Sequence, residues 1–541
     1  MTSSRTFLAC AVAVLCFGAA VALDTVTVNP PAGPIVGYVS EKARQFRGVY
    51  FAEPPVDSLR WEAPVMREKF MTPFNATQNG PACPQPCGPP AASCPTVTSE
   101  DCLLMNIYTP VDATPDSNLP VMMFIHGGQF HTGFAGLILY NGDTFVNDTG
   151  VVLAVIQYRL GALGFLYTGD DISGNYGILD QKLALEWLHD NIAAFGGNPD
   201  LITVFGQSAG AMSIGAQLAS PAFKGLYKHA ILESEPFGIP FRDADTWTGF
   251  AKDFAKACGC DTSGNYDACL RNATPDTLVT AASTARKELF ADLSNLFQLF
   301  VPWTPTVGTE LIPQPPLDSW MAGEVHDIPI LIGTVENEGV LFVYEAFGKP
   351  VGKTEFDILL DVLFGFTDGA AVKKRFPPTN TSDCRPAAAE IATQCLFRCT
   401  TRNATLSVAG SKGRTQPMYN YVFDHVASFN SKFWGPELSF CWDKVCHGAD
   451  LPFVFSPNAS SFGINFQPEE RELALSMQTF WSNFAKTGSP GADEGITWST
   501  ITPQSHFNVV LETPNDTTET DAFEFCSFWD GIGYSYANPK K

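Results

Sequence analysis

The chain has 541 residues, of which 45% are hydrophobic and 16% charged, and a formal charge of −23. So acidic a composition argues against a nucleic-acid partner, because phosphate binding needs basic patches. It suits a soluble exported protein, and the length suits one large α/β fold as well as several small domains.

Residues Met1–Ala22 read as a secretory signal peptide. Arg5 supplies positive charge, Phe7–Val21 is apolar, and Ala20-Val21-Ala22 offers an A-x-A cleavage site. After it no run reaches ~18 apolar residues, so no transmembrane anchor is expected. Residues 23–541 are expected to form a single domain, outside the cell or in the lumen of the secretory pathway. Fifteen cysteines, less Cys10 and Cys16 in the leader, leave thirteen, an odd number that predicts disulfides and one spare thiol. Sequons at Asn75, Asn147, Asn272, Asn380, Asn403, Asn458 and Asn515 fit an export route.

Residues 36–64 alternate short strand-like runs with Pro and Asp turns, as an N-terminal antiparallel region would. From Pro81 to Cys102 a proline-rich loop carries Cys83, Cys87, Cys94 and Cys102, for which nested pairing (Cys83–Cys102 around Cys87–Cys94) is expected. A metal site is the rival reading, but thiolates rarely stay reduced in that compartment. Leu119–Ile125 (LPVMMFI) reads as a buried strand ending in His126-Gly127-Gly128-Gln129-Phe130. Glycines after such a strand let backbone N–H groups face a ligand, as in half of an oxyanion hole; His126 itself reads as structural.

Val151–Tyr158 is a third apolar run. Asp180–Phe195 follows as an amphipathic helix stopped by Gly196. Leu201–Phe205 (LITVF) reads as another buried strand and leads into Gly206-Gln207-Ser208-Ala209-Gly210, a G-x-S-x-G pattern before a small-residue helix. Strand, tight turn and helix form the context of a nucleophile elbow, with Ser208 as nucleophile. His229–Ser234 is the next strand, 241–300 reads as helical, and Ile328–Thr334 and Met418–His425 are further strands. Strands alternating with helices predict an α/β fold with a mostly parallel central sheet flanked by helices, its site at the strand carboxyl ends.

A serine hydroxyl needs a base, and the base a carboxylate to orient it, in the chain order Ser, acid, His for this architecture. The acid should follow a strand, which leaves Glu336 or Glu338; the base should be His425, His447 or His506. His447 is best placed, in a glycine-containing loop beside Cys441 and Cys446, for which a local disulfide is expected rather than a metal site.

Several stretches together, FRGVYFAEPPVDSLRWEAP, SEDCLLMNIYTP, HGGQF, YRLGALGFL, GNYGILDQKLALEWLHDNIAAFGGNP, VFGQSAG, GTVENEG and CHGADLPFVF, resemble the type-B carboxylesterase/cholinesterase family over nearly the whole mature chain. The resemblance implies an α/β-hydrolase fold with helical insertions and a serine carboxylesterase acting on small ester molecules through an acyl-enzyme, with no cofactor and no metal. It implies Ser208, Glu338 and His447 as the triad, an oxyanion hole from the N–H groups of Gly128, Gln129 and Ala209, and Ser234 as a serine steadying the acid. It implies disulfides Cys83–Cys102 and Cys399–Cys526, and one of Cys258 and Cys260 with Cys269, Cys260 being the choice made here. Cys384–Cys395 is assigned to the remainder.

Three departures bear on substrate. Gln129 stands where the family has a third glycine. Gln207 stands where cholinesterases have Glu, and the first disulfide loop lacks the Trp that would stack a choline ammonium, so choline esters are not expected. Phe297, Phe300 and Trp303 are expected to line an acyl pocket. The competing readings are a lipase of the same family, with the Cys83–Cys102 loop as lid, and a non-catalytic adhesion protein on this fold.

Overall fold

The computed structural model describes residues 24–88, 93–289, 297, 298, 300–457, 464–493, 496–513, 523 and 525–534. The leader and the sequons at Asn458 and Asn515 lie outside these residues. Among the described residues there are fourteen strands: β1 (Thr25–Val28), β2 (Ile35–Val39), β3 (Ala43–Tyr50), β4 (Phe74–Asn75), β5 (Leu104–Pro110), β6 (Leu119–Ile125), β7 (Val152–Ile156), β8 (Gly197–Gln207), β9 (His229–Glu233), β10 (Ile330–Val335), β11 (Met418–Phe423), β12 (Ala492–Asp493), β13 (Ile496–Thr497) and β14 (Val509–Leu511). Twelve of them build one sheet in the order β1-β2-β3-β5-β7-β6-β8-β9-β10-β11-β14, with β4 on β2. From β7 to β14 every neighbouring pair is parallel. Along the path β1-β2-β3-β5-β7, by contrast, every pair is antiparallel, while β4 lies parallel on β2.

Unbroken apolar runs form these central strands because both faces of the sheet are covered. Val121, Met123 and Ile125 of β6 enter one core with Ile202 and Val204 of β8, while Met122 and Phe124 enter the opposite core with Phe205. The helix Tyr176–Asn191 and the short turn Ile192–Phe195 end at Gly196, whose φ of 97° is the left-handed stop a glycine supplies. After β7, Arg159 is bound by a bidentate pair to Asp180 of that helix (Nη2–Oδ1 2.7 Å), and its Nη1 donates to Glu62 O. Removing one member of so buried a pair leaves an uncompensated charge and costs about 3–5 kcal/mol.

Five disulfides form: Cys83–Cys102, Cys87–Cys94, Cys260–Cys269, Cys399–Cys526 and Cys441–Cys446. The expected Cys384–Cys395 bridge does not. Cys384 caps the helix Arg385–Ala392, and Cys395 lies in the helical segment Thr393–Arg398 that continues it. Eleven helical residues rise about 16 Å, far beyond the roughly 7 Å a disulfide spans between Cα atoms. Cys258, Cys384 and Cys395 are therefore thiols, three where one was expected. Of the described sequons, Asn75, Asn147, Asn272 and Asn380 are exposed, whereas Asn403 is half-buried in the helix Cys399–Ala409. Denaturing thiol titration of the mature chain is expected to count three thiols; a count of one would restore the missing bridge.

Candidate active site

The register of the parallel strands sets the site. Ile125 of β6 lies beside Gly206 of β8, and Gln207 beside Glu233 of β9. The residues that leave these strands (His126 onward, Ser208 and Ser234, and Glu338 just beyond β10) therefore emerge along one edge. Ser208 has φ 57° and ψ −121° between β8 and the elbow helix Ala209–Ala219. Holding a serine there takes small neighbours. A Cβ on Gly210 would come within 1.9 Å of Ile125 O, and one on Gly206 within 2.8 Å of the Gly210 backbone. Ser208 N–H donates to Glu233 O at 2.9 Å, tying the turn to the adjacent strand. Ala209 opens the elbow helix, so its N–H is among the first-turn donors that find no intrahelical acceptor.

The glycine loop lies against this turn. A Cβ on Gly127 would sit 3.0 Å from Ser208 Cβ, and Gly128 (φ 110°), Gln129 (58°) and Phe130 (57°) run in succession through the left-handed region. Gln85, inside the Cys83–Cys102 loop, brackets Gly133 with two hydrogen bonds, accepting from its N–H at 2.8 Å and donating to its O at 2.9 Å. His126 is fully buried, its Nδ1 on Gly127 O, and stacked on Tyr158; burial lowers its pKa to about 4. It is a neutral structural residue.

Glu338 and His447 meet. The imidazole Nδ1 lies 2.5 Å from Glu338 Oε2, and Glu338 Oε1 accepts from Val335 N–H at 2.9 Å. A short ladder of one backbone and one side-chain hydrogen bond sets this distance: Asn337 N–H donates to Val445 O, and Val445 N–H to Asn337 Oδ1, immediately beside the Cys441–Cys446 disulfide. Phe342 and Phe397 wall the imidazole, ring centroids 4.9 and 5.4 Å away. His447 Nε2 is hydrogen-bonded to Gln207 Nε2 at 3.1 Å rather than to the Ser208 hydroxyl. An amide NH2 donating to Nε2 requires that nitrogen to be bare and Nδ1 to carry the hydrogen shared with Glu338.

The rival residues are engaged elsewhere. Glu336 pairs with Arg398; His425 binds Glu470 and Thr513; His506 is buried on Thr405, its pKa lowered to about 3 by burial. Ser234 has φ 55° and a buried hydroxyl with no protein hydrogen-bond partner, so the direct contact expected to steady Glu338 is not made. Trp303 packs on Trp247, Phe250 and Phe254 in the core, not at the site. Among the described residues no His/Cys/Asp/Glu cluster could hold a metal ion, and no helix is long and apolar enough to cross a membrane.

The sequence reading missed the acids beneath the triad. Asp450 is fully buried, accepts from Tyr421 OH at 3.2 Å, and has its pKa raised to about 6, first by burial and then by the charge of Glu338. Behind it Glu233 accepts from Trp481 Nε1 at 2.6 Å and is pushed well up by burial and by Asp450. Asp450 stands three residues after His447, but nothing in its spacing announces that it is sealed.

In the unfolded chain Asp450 ionises near 3.8, and in the folded protein near 6. Its stabilising contribution is therefore complete below the lower value and lost as pH rises through the upper one. Asp450→Asn escapes that loss while keeping an acceptor for Tyr421. Its Tm is expected to gain on the parent's between about pH 4 and about pH 8; a gap constant over that range would contradict the assignment.

Comparison with known proteins places the chain in a family. A model of the carboxylesterase family matches residues 24–529. The cAMP-regulated D2 protein of Dictyostelium discoideum is 36% identical over 493 residues, 90% of this chain and 89% of that protein. The para-nitrobenzyl esterase of Bacillus subtilis is 32% identical over 489 residues, 89% of this chain and 93% of that one. Among solved structures, a thermophilic PNB esterase superposes with a TM-score of 0.79 at 30% identity, covering 93% of this chain and 99% of that chain. On the match of its sequence and of its fold, the chain belongs to the carboxylesterase family.

Proposed function

We propose that this protein is a secreted serine hydrolase of carboxylic esters that works through an acyl-enzyme. The observation that carries the reading is the sealed Glu338–His447 hydrogen bond, with the opposite edge of the imidazole against the elbow that presents Ser208. As an ester enters, Ser208 Oγ replaces the Gln207 amide at His447 Nε2. The imidazole takes the hydroxyl proton while Oγ attacks the carbonyl carbon. Glu338 holds the tautomer and offsets the positive charge of the imidazolium.

The N–H groups of Gly128, Gln129 and Ala209 receive the oxyanion; a single such donor is worth on the order of 2.7–4 kcal/mol. His447 then returns the proton to the leaving alkoxide oxygen. Water, deprotonated by the same nitrogen, releases the acid and restores Ser208. Five disulfides and four exposed sequons support secretion. The filled triad positions weigh against a non-catalytic adhesion role, and the name of the Bacillus subtilis relative is that of an esterase.

An organophosphate is expected to label the intact protein once, with the label absent from Ser208→Ala. Glu338→Gln should fold normally and lose kcat on the order of 10⁴-fold, as when a triad carboxylate is replaced by its amide. Full labelling of Ser208→Ala, or an unimpaired Glu338→Gln, would overturn the reading.

A further inference from the structure

Glu338 and His447 each follow one half of a single parallel β-bridge. Asn337 pairs with Cys446, and Asn337 N–H donates to Val445 O. In a parallel pairing the next residues on the two segments also fall side by side, and here those are Glu338 and His447. A slip of one residue would bring Cys446 or Gly448 opposite Glu338 and leave the acid without a base.

The main sheet does not secure this bridge, which stands outside the named strands. The residues leading into it form a surface turn. Trp442 and Asp443 are exposed and Lys444 is half-buried, whereas Val445, Cys446 and His447 are buried. The turn is closed into a ring from two sides. The Cys441–Cys446 disulfide joins its ends. From inside, the buried Asn430 amide donates to Lys444 O at 3.1 Å, with Cys441 O and Trp442 O at 3.4 and 3.5 Å.

This disulfide is poorly suited to stabilising the fold as a whole. Its cysteines are 5 residues apart, against 7, 9, 19 and 127 for the other bridges. The shorter the closed loop, the less a cross-link restrains the unfolded chain. What it restrains in the folded protein is Cys446, which carries both the pairing with Asn337 and the peptide bond to His447.

We propose that the Cys441–Cys446 disulfide is a positioning element for the reaction, holding His447 in register with Glu338. The proposal rests on the serine-esterase reading above. The sulfurs act through the imidazole and not on the ester. Nδ1 has to meet Glu338 while Nε2 faces the elbow, and a misplacement of about 1 Å at such a group costs on the order of 100-fold in rate.

The test is Cys441→Ala/Cys446→Ala, with Cys260→Ala/Cys269→Ala as a control on another short bridge and phenyl acetate as substrate. Opening Cys441–Cys446 should lower kcat about tenfold to a hundredfold. KM should stay unchanged, since His447 serves acylation and deacylation alike and both slow together. The control, which opens a longer loop, should lose at least as much Tm and keep its kcat. A second readout needs no turnover. The hydrogen shared by His447 Nδ1 and Glu338 gives a strongly deshielded proton resonance, assigned by its loss in His447→Ala. It should move upfield or broaden in Cys441→Ala/Cys446→Ala and stay in place in the control. If the double variant does not fold, Cys441→Ser, which keeps the Cys446 thiol, carries the same expectations; failure of both to fold would show a stabilising bridge and overturn the proposal. An unchanged kcat, an unchanged resonance, a loss carried by KM, or an equal loss of kcat in the control would also overturn it. If the parent neither hydrolyses phenyl acetate nor takes up an organophosphate, the esterase reading falls instead, and the proton resonance alone decides whether the disulfide sets the pair.

Discussion

A carboxylate closed off from water at the end of a strand must find donors, and Glu338 finds two, the Val335 N–H and the Nδ1 hydrogen of His447. The rest of the site follows from this constraint. Inside a low-dielectric wall of Phe342 and Phe397 the hydrogen bond is stronger than it would be in water, and it leaves Nε2 bare toward the elbow. The same low dielectric penalises every further charge. Asp450 and Glu233, in line behind Glu338, are shifted toward their protonated forms first by burial, then Asp450 by the charge of Glu338 and Glu233 by that of Asp450. Burial thus disfavours further negative charge beneath the imidazole, most strongly at Glu233.

Backbone strain also falls at the same edge. Ser208, Ser234, Gln129 and Phe130 all adopt positive φ without being glycine. Such conformations persist only where surrounding structure over-determines them. Here the parallel register supplies that, with Ser208 N–H on Glu233 O and Ser234 N–H on Gly333 O. Gln129 carries a side chain at a position where glycine would be unstrained, so the glycine loop must be held from outside. Gln85, stapled within the Cys83–Cys102 loop, binds the nearby Gly133 from both sides. A loop bonded in this way is better placed to fix the glycine turn than to swing as a lid.

Much of this was legible in the sequence because the signals are local. LPVMMFI and VFGQSAG announce buried strands with tight exits, and the order Ser, acid, His narrows the partners to a few residues. What remained open was decided by distances no spacing encodes. Glu336 and Glu338 differ by two residues, but Arg398, from a distant helical segment, claims the first, while the Asn337–Val445 ladder delivers His447 to the second. Cys384 and Cys395 could be paired only by elimination; once both lie along one helical run the bridge is geometrically impossible. Trp303 is close to Phe297 and Phe300 in sequence, yet its ring is drawn into a cluster with Trp247, Phe250 and Phe254. Ser234 occupies the expected place without the expected contact, since its hydroxyl orientation depends on neighbours far away in the chain.

His447 Nε2 rests on Gln207, and turnover requires that nitrogen to serve Ser208 instead. A crystal structure of the protein phosphonylated on Ser208 tests this directly. The account predicts His447 Nε2 turned from Gln207 toward the Ser208 oxygen, with the phosphonyl oxygen ~2.7–3.1 Å from the N–H groups of Gly128, Gln129 and Ala209. An imidazole still on Gln207, with the phosphonyl oxygen turned away from those donors, would contradict it.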